Sequence, residues 1–153
     1  MACGLGYGST ILTKNSRCGS YVGIDNSDYA VDYARANFPG DAGELRFEKG
    51  SLPECLGRFD DASFDFIASF ETLEHLRDTR PFLQECNRLL TPGGRLMVSV
   101  PNDWAEADGV DPNPHHFHVY DWGKVLGELR DAGFLIERTV AETVSRRKQD
   151  GQW

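Results

Sequence analysis

The chain has 153 residues and a formal net charge of −8, with 40% of its residues hydrophobic and 11% aromatic. That length suits one compact domain over residues 1–153, and the apolar share can fill a core rather than leave the chain disordered. The acidic balance argues against a nonspecific grip on nucleic acid or an anionic membrane, because a phosphate footprint needs clustered Lys and Arg.

The nearest such cluster, Arg146-Arg147-Lys148, reads as a solvated tail. Cys3, Cys18, Cys55 and Cys86 form no CxxC pair, so reduced thiols in a cytoplasmic protein are expected, with no structural zinc or redox motif. No charged start precedes an apolar run, and no apolar stretch approaches the ~18 residues of a membrane span.

In chain order, Cys3-Gly4-Leu5-Gly6-Tyr7-Gly8-Ser9 sets three glycines on alternate positions, which lets the backbone turn sharply and approach a ligand. A helix is expected over residues 10–18, its first amides favouring a carboxylate or phosphate. Tyr21-Val22-Gly23-Ile24 reads as a buried strand ending at Asp25, an acid placed to accept hydrogen bonds from ribose hydroxyls. Ser27 caps the next helix, which carries Tyr29, Ala30, Tyr33, Ala34 and Phe38 and stops at Pro39-Gly40.

Strands are expected over residues 45–48 and 64–70. Pro81 then opens a helix with Phe82, Leu83, Cys86, Leu89 and Leu90 at helical spacing, and Pro92-Gly93-Gly94 ends it in a tight turn. A strand over residues 95–100 follows. After an irregular connection over 103–118, Asp121 caps a helix through Val125, Leu126 and Leu129, which Gly133 terminates. A last strand is expected over 134–139. Short apolar runs alternating with amphipathic helices point to an α/β, Rossmann-like, doubly wound and mostly parallel sheet.

Phe70-Glu71-Thr72-Leu73-Glu74-His75 lies at the carboxyl end of the strongest strand, where such sheets keep their sites. If the stretch is helical, Glu71, Glu74 and His75 share a face and could hold a divalent cation such as Mg²⁺. Two other readings stand beside this one. The acids can simply favour the positive end of a helix, or His75 can serve as a general base or a buried hydrogen-bonding residue. His115, His116 and His118 can likewise be ordinary loop residues flanking a substrate opening.

Ala2-Cys3-Gly4-Leu5-Gly6-Tyr7-Gly8-Ser9 resembles motif I of class I S-adenosylmethionine-dependent methyltransferases, and Val22-Gly23-Ile24-Asp25 with Ser27 resembles their motif II. Ser63-Phe64-Asp65-Phe66-Ile67, Glu74-His75-Leu76 and Leu90-Thr91-Pro92-Gly93-Gly94-Arg95-Leu96 match the next two blocks in order and spacing. The resemblance implies S-adenosylmethionine as cofactor. Gly4, Gly6 and Gly8 would pack against its methionine part and Asp25 would hold the ribose. Asn26, Ser51, Leu52 and Phe70 would complete the cofactor site, although relatives often place an acid near position 51. Glu74 and His75 would be the catalytic pair.

E-x-x-E-H also resembles quinone-biosynthesis O-methyltransferases and small-RNA 2′-O-methyltransferases. In the second group a later His precedes an aromatic-acid-Trp stretch, which nominates His118 as a ligand beside Glu71, Glu74 and His75. The expected activity is methyl transfer to oxygen, ahead of nitrogen or carbon, of a small molecule, with no membrane partner and with nucleic acid disfavoured. The alternatives are a metal-assisted RNA 2′-O-methyltransferase, a nicotinamide-dependent oxidoreductase, against which Ser9 counts, and a non-catalytic binding module. Relatives carry a central strand before motif I, and here Met1 stands one residue before Ala2. A truncated chain, with unpaired edges on two neighbouring strands, is the expectation.

Overall fold

A computed structural model describes residues 1–14, 18–39, 45–101 and 113–141. Helices and strands alternate along them: α1 (Tyr7–Lys14), β1 (Tyr21–Asp25), α2 (Asp28–Asn37), β2 (Leu45–Lys49), β3 (Phe64–Phe70), α3 (Arg80–Leu89), β4 (Leu90–Ser99) and α4 (Trp122–Asp131). Short 3-10 turns, Glu54–Arg58 and Leu73–His75, lie before and after β3.

β1 pairs with β2 in parallel, Tyr21 opposite Leu45 and Asp25 opposite Lys49. β3 pairs with β4 in parallel, Ile67 opposite Leu96 and Phe70 opposite Ser99. Parallel neighbours require crossovers, which α2 and α3 supply, so the chain adopts the α/β layering expected from its sequence.

The two pairs do not join into one sheet. Among the described residues, no strand pairs with the inner edge of β1 or with that of β3. Residues 1–3 run between them: the Cys3 amide donates to Ile24 O at 2.8 Å, and the Met1 nitrogen donates to Ala68 O. The facing unpaired edges match the expectation for a sheet without its central strand.

Side-chain packing nevertheless crosses this seam. Ile24 of β1 and Ile67 of β3 share one buried cluster with Leu73, Phe82, Leu83, Cys86, Leu89, Tyr120 and Leu129. Val31 and Ala34 of α2 bury against Phe47 of β2 in a second, smaller one.

The caps form as the sequence predicts. Ser27 Oγ accepts from the Ala30 amide at 3.2 Å, and Asp121 Oδ1 accepts from the Lys124 amide at 2.7 Å. Three expectations need correction. α1 begins at Tyr7 rather than Thr10, because Gly6 takes a φ of +85° and the chain turns helical directly after it. The Pro92-Gly93-Gly94 turn lies within the span of β4, where the register jumps from Phe64 opposite Leu90 to Phe66 opposite Arg95 and loops the excess residues out.

Residues 134–139 form no strand. Phe134 and Ile136 pack on the core while Leu135 is 93% exposed, so alternation places side chains on two sides without a backbone ladder. Residues 15–17 of the expected first helix, Gly40, residues 103–112 of the long connection and Arg146-Arg147-Lys148 lie outside the described residues.

Candidate active site

The first part of the site is built at the carboxyl end of β1. Gly4 and Gly6 both have positive φ, +52° and +85°, and carry the chain from β1's side into α1. They are not equivalent. A Cβ on Gly6 would stand 2.8 Å from Ala34 Cβ and 3.1 Å from the Phe47 ring, so Gly6 is needed for packing on α2 and β2. A Cβ on Gly4 or Gly8 would meet nothing within 4 Å, so these two border open space. Ser9 is buried, and its hydroxyl donates to Gly6 O at 2.7 Å, which closes the loop on itself.

Asp25 ties this loop to the strand. Its Oδ2 accepts from the Gly4 amide at 2.8 Å and its Oδ1 from the Ser27 amide at 3.0 Å. The Asp25 carbonyl accepts from the Gly50 amide at 2.9 Å, which brings Ser51 and Leu52 beside Asp25. Gly50 cannot be larger, since its Cβ would lie 2.6 Å from that of Cys55. Asn26 and Ser51 are exposed, Leu52 is half-buried, and Phe70 closes β3 with its ring exposed. A glycine loop with open space before it and an acid at the strand end is a cradle that suits a nucleoside with an amino-acid arm.

The second part follows β3. Glu71 has a φ of +48°, so the chain leaves the strand sharply, and the turn starts only at Leu73. Glu71 therefore does not share a helical face with Glu74 and His75. It stays exposed, accepting from Ser99 Oγ at 2.6 Å. Glu74 is 1% exposed, and neither of its carboxylate oxygens has a hydrogen-bond partner. Burial pushes its carboxyl above the usual carboxylate range, with the charge of Glu71 acting in the same direction. A buried carboxylate without partners is costly, and it calls for a cation, a proton or a ligand's donor.

His75 Nε2 lies 3.9 Å from Glu74 Oε1, and its Nδ1 lies 3.1 Å from His115 O. The loop carrying the later histidines is pinned by the Phe117 amide, which donates to Glu74 O at 2.7 Å. That tie sets the His116 ring edge-on to His75 at 4.8 Å between centroids. One ligand atom from each of Glu74, His75 and His116 falls within 4.8 Å of the others. Glu71 and His118, both nominated from the sequence, are not in this group. His118 Nδ1 faces Lys124 Nζ at 3.3 Å instead, and its Nε2 is buried without a partner.

Sequence reasoning left His116 as a loop residue. Its distance along the chain from Glu74 carries no signal, and only the Phe117–Glu74 backbone bond reveals the pairing. A cavity of about 520 Å³ opens beside the cluster, walled by Leu52, Pro53, His75, Leu76, Arg77 and Phe117. The Arg77 guanidinium stacks 4.4 Å from the centre of the Phe117 ring.

Comparison with known proteins settles the ancestry. A family model described as a methyltransferase domain matches residues 1–98. The chain belongs to this family. This methyltransferase domain is 34% identical over 140 residues to a Mycolicibacterium smegmatis protein that carries the name S-adenosylmethionine-dependent methyltransferase, covering 90% of the chain and 51% of that relative. It is 28% identical to a ubiquinone biosynthesis O-methyltransferase of Maricaulis maris, covering 92% of the chain and 59% of the relative.

Among solved structures it is similar to a methyltransferase of Haloferax volcanii in complex with the Trm112 methyltransferase activator. The TM-score is 0.71 at 28% identity, over 86% of this chain and 58% of that one. A Mesorhizobium loti S-adenosylmethionine-dependent methyltransferase has a TM-score of 0.70 at 22% identity, over 90% of this chain and 73% of that one, and shares the fold. The methyltransferase domain spans about half the length of the curated relatives it matches. No helix among its described residues is long and apolar enough to cross a membrane.

Proposed function

We propose that this domain transfers the methyl group of S-adenosylmethionine to an oxygen of a small molecule. Gly4, Gly6, Gly8 and Asp25 hold the cofactor, with Asn26, Ser51, Leu52 and Phe70 around its nucleoside. His75 and Glu74 serve the acceptor. The observation that carries this reading is the buried, unpartnered Glu74 carboxylate behind His75, whose own side chain lines a cavity that also has Leu52 in its wall.

When bound, S-adenosylmethionine supplies an electrophilic methyl on a sulfonium centre, and its loss leaves a neutral thioether. The chain's own residues supply position and proton management. His75 Nδ1 donates to His115 O, which leaves Nε2 with the lone pair that takes the acceptor's hydroxyl proton. The Glu74 carboxylate then faces the resulting imidazolium. The four free cysteines suit a reducing, cytoplasmic setting. The RNA reading drew on His118 as a ligand, and His118 turns to Lys124. The Mg²⁺ set of Glu71, Glu74, His75 and His118 is not the set the side chains bring together, and the proposal does not depend on it.

The test is calorimetric titration of the purified chain with S-adenosylhomocysteine, followed by methyl transfer to a panel of hydroxyl and amine acceptors. Asp25→Asn should weaken binding about tenfold or more, since charge-assisted bonds to a carboxylate contribute about 1.5–3 kcal/mol. His75→Ala should keep the cofactor affinity and lose transfer. A folded chain that ignores S-adenosylhomocysteine would sink the reading, and transfer to amines alone would overturn the choice of oxygen.

A further inference from the structure

We propose that Arg77 selects the acceptor by binding a carboxylate on it, so that the substrate is a hydroxy acid with a short apolar body. This assigns a substrate class to the proposed active site and rests on that reading for its role. The anion site itself rests on the cavity and its walls.

Arg77 and His75 both wall the 520 Å³ cavity. They flank Leu76, whose backbone is extended, with a φ of −90° and a ψ of 131°. Residues on either side of an extended residue stand about 6.6 Å apart. That spacing suits a molecule with its nucleophilic oxygen at one end and an anion at the other. Leu52, Pro53, Leu76 and Pro81 give the cavity an apolar wall for the body between them, and its size suits a small molecule.

The guanidinium is the second observation. Its contact among the described residues is the Phe117 ring, whose centre lies 4.4 Å away. Arg35, Arg46, Arg58, Arg88 and Arg95, by contrast, each pair with a carboxylate of the chain. Stacking uses a face of the planar group and leaves its in-plane N–H donors unspent. The Phe117 amide donates to Glu74 O at 2.7 Å, so the stack is anchored to the turn that carries His75. A fork held in this way matches the two oxygens of a carboxylate.

The rest of the wall chooses between anions. Glu54 and Asp78 also line the cavity, and Asp78 Oδ1 accepts from the Arg80 amide at 3.0 Å. Two carboxylates repel a phosphate dianion more strongly than a carboxylate monoanion, so the monoanion is the better occupant.

The experiment follows binding by ligand-observed NMR, with and without S-adenosylhomocysteine, so that it requires no transfer. The probes are para-hydroxyphenylacetate, its methyl ester and para-hydroxyphenyl phosphate. The acid should bind about tenfold or more tighter than the ester, and tighter than the phosphate. Arg77→Gln should weaken the acid about tenfold and leave the ester and S-adenosylhomocysteine within about twofold. Glu54→Gln should act the other way and tighten the acid by about twofold, a small effect because the site is open to water. A damaged fold would weaken acid and ester together, and melting curves check each variant.

Equal binding of acid and ester overturns the proposal, as does a folded chain that binds neither. So does a preference for the acid that survives Arg77→Gln, and tighter binding of the phosphate overturns the choice of carboxylate. Binding of S-adenosylhomocysteine without preference for the acid removes the anion site alone. Preference for the acid in a chain that ignores S-adenosylhomocysteine keeps the anion site and removes the methyltransferase reading.

Discussion

Gly4 and Gly6 stand two residues apart in the same loop and do different work. Gly6 faces inward, where a methyl group would collide with Ala34 and Phe47 and the backbone is left-handed as well. Gly6→Ala should destabilise the fold by about 2–4 kcal/mol, read as a lowered urea midpoint. Gly4→Ala meets only open space, and its left-handed backbone costs roughly 1–2 kcal/mol. Its larger effect should appear in affinity for S-adenosylhomocysteine, because the new methyl points into the open space proposed for the cofactor. Equal loss of stability in the two variants would contradict this division.

The same scale separates what the sequence disclosed about the site from what it did not. Glu74 and His75 are chain neighbours after a readable strand, so their adjacency needed no tertiary information. Glu71 dropped out because a single positive φ rotates it away, a property that no spacing rule carries. His116 entered because one backbone bond from Phe117 fixes its loop against Glu74.

At the scale of elements, the caps were the most legible features. Ser27 and Asp121 each accept from the amide three residues on, as their short polar side chains before an apolar-periodic run predict. Ser27→Ala should cost about 1 kcal/mol of stability in chemical denaturation. The Ser27 amide also donates to Asp25, and that bond survives the substitution, so cofactor affinity should move little. A tenfold loss of cofactor affinity with unchanged stability would show that Ser27 has a direct part in the site.

Elsewhere the periodic signal was sound and the backbone did something else. Residues 134–139 alternate, burying Phe134 and Ile136, and Arg95 Nε meets Glu137 Oε2 at 2.9 Å, yet no ladder forms. Alternation reports which side chains are buried, and a ladder additionally needs a partner edge in register. Likewise, Pro92-Gly93-Gly94 announced a turn, and the chain makes it as a bulge while staying beside β3.

At the scale of the whole molecule, the two strand pairs place the two parts of the site on different supports. The glycine loop and Asp25 belong with β1, while Glu74 and His75 follow β3. What joins the supports is the packing of Ile24 and Ile67 in one core, together with the two backbone bonds made by residues 1–3. Along each strand the backbone groups point alternately to either neighbour, and Ile24 O and Ala68 O mark the residues that face inward.

Val22 and Phe66, two residues back from these, must therefore turn their amides to the same gap. Solvent deuterium should replace those two protons far sooner than the amide protons of Gly23 and Ile67, which point toward β2 and β4. Equal rates would mean that the gap is closed. Read by exchange, the molecule opens as two cooperative units rather than one, and the line of easiest opening runs between the nucleoside cradle and the buried carboxylate.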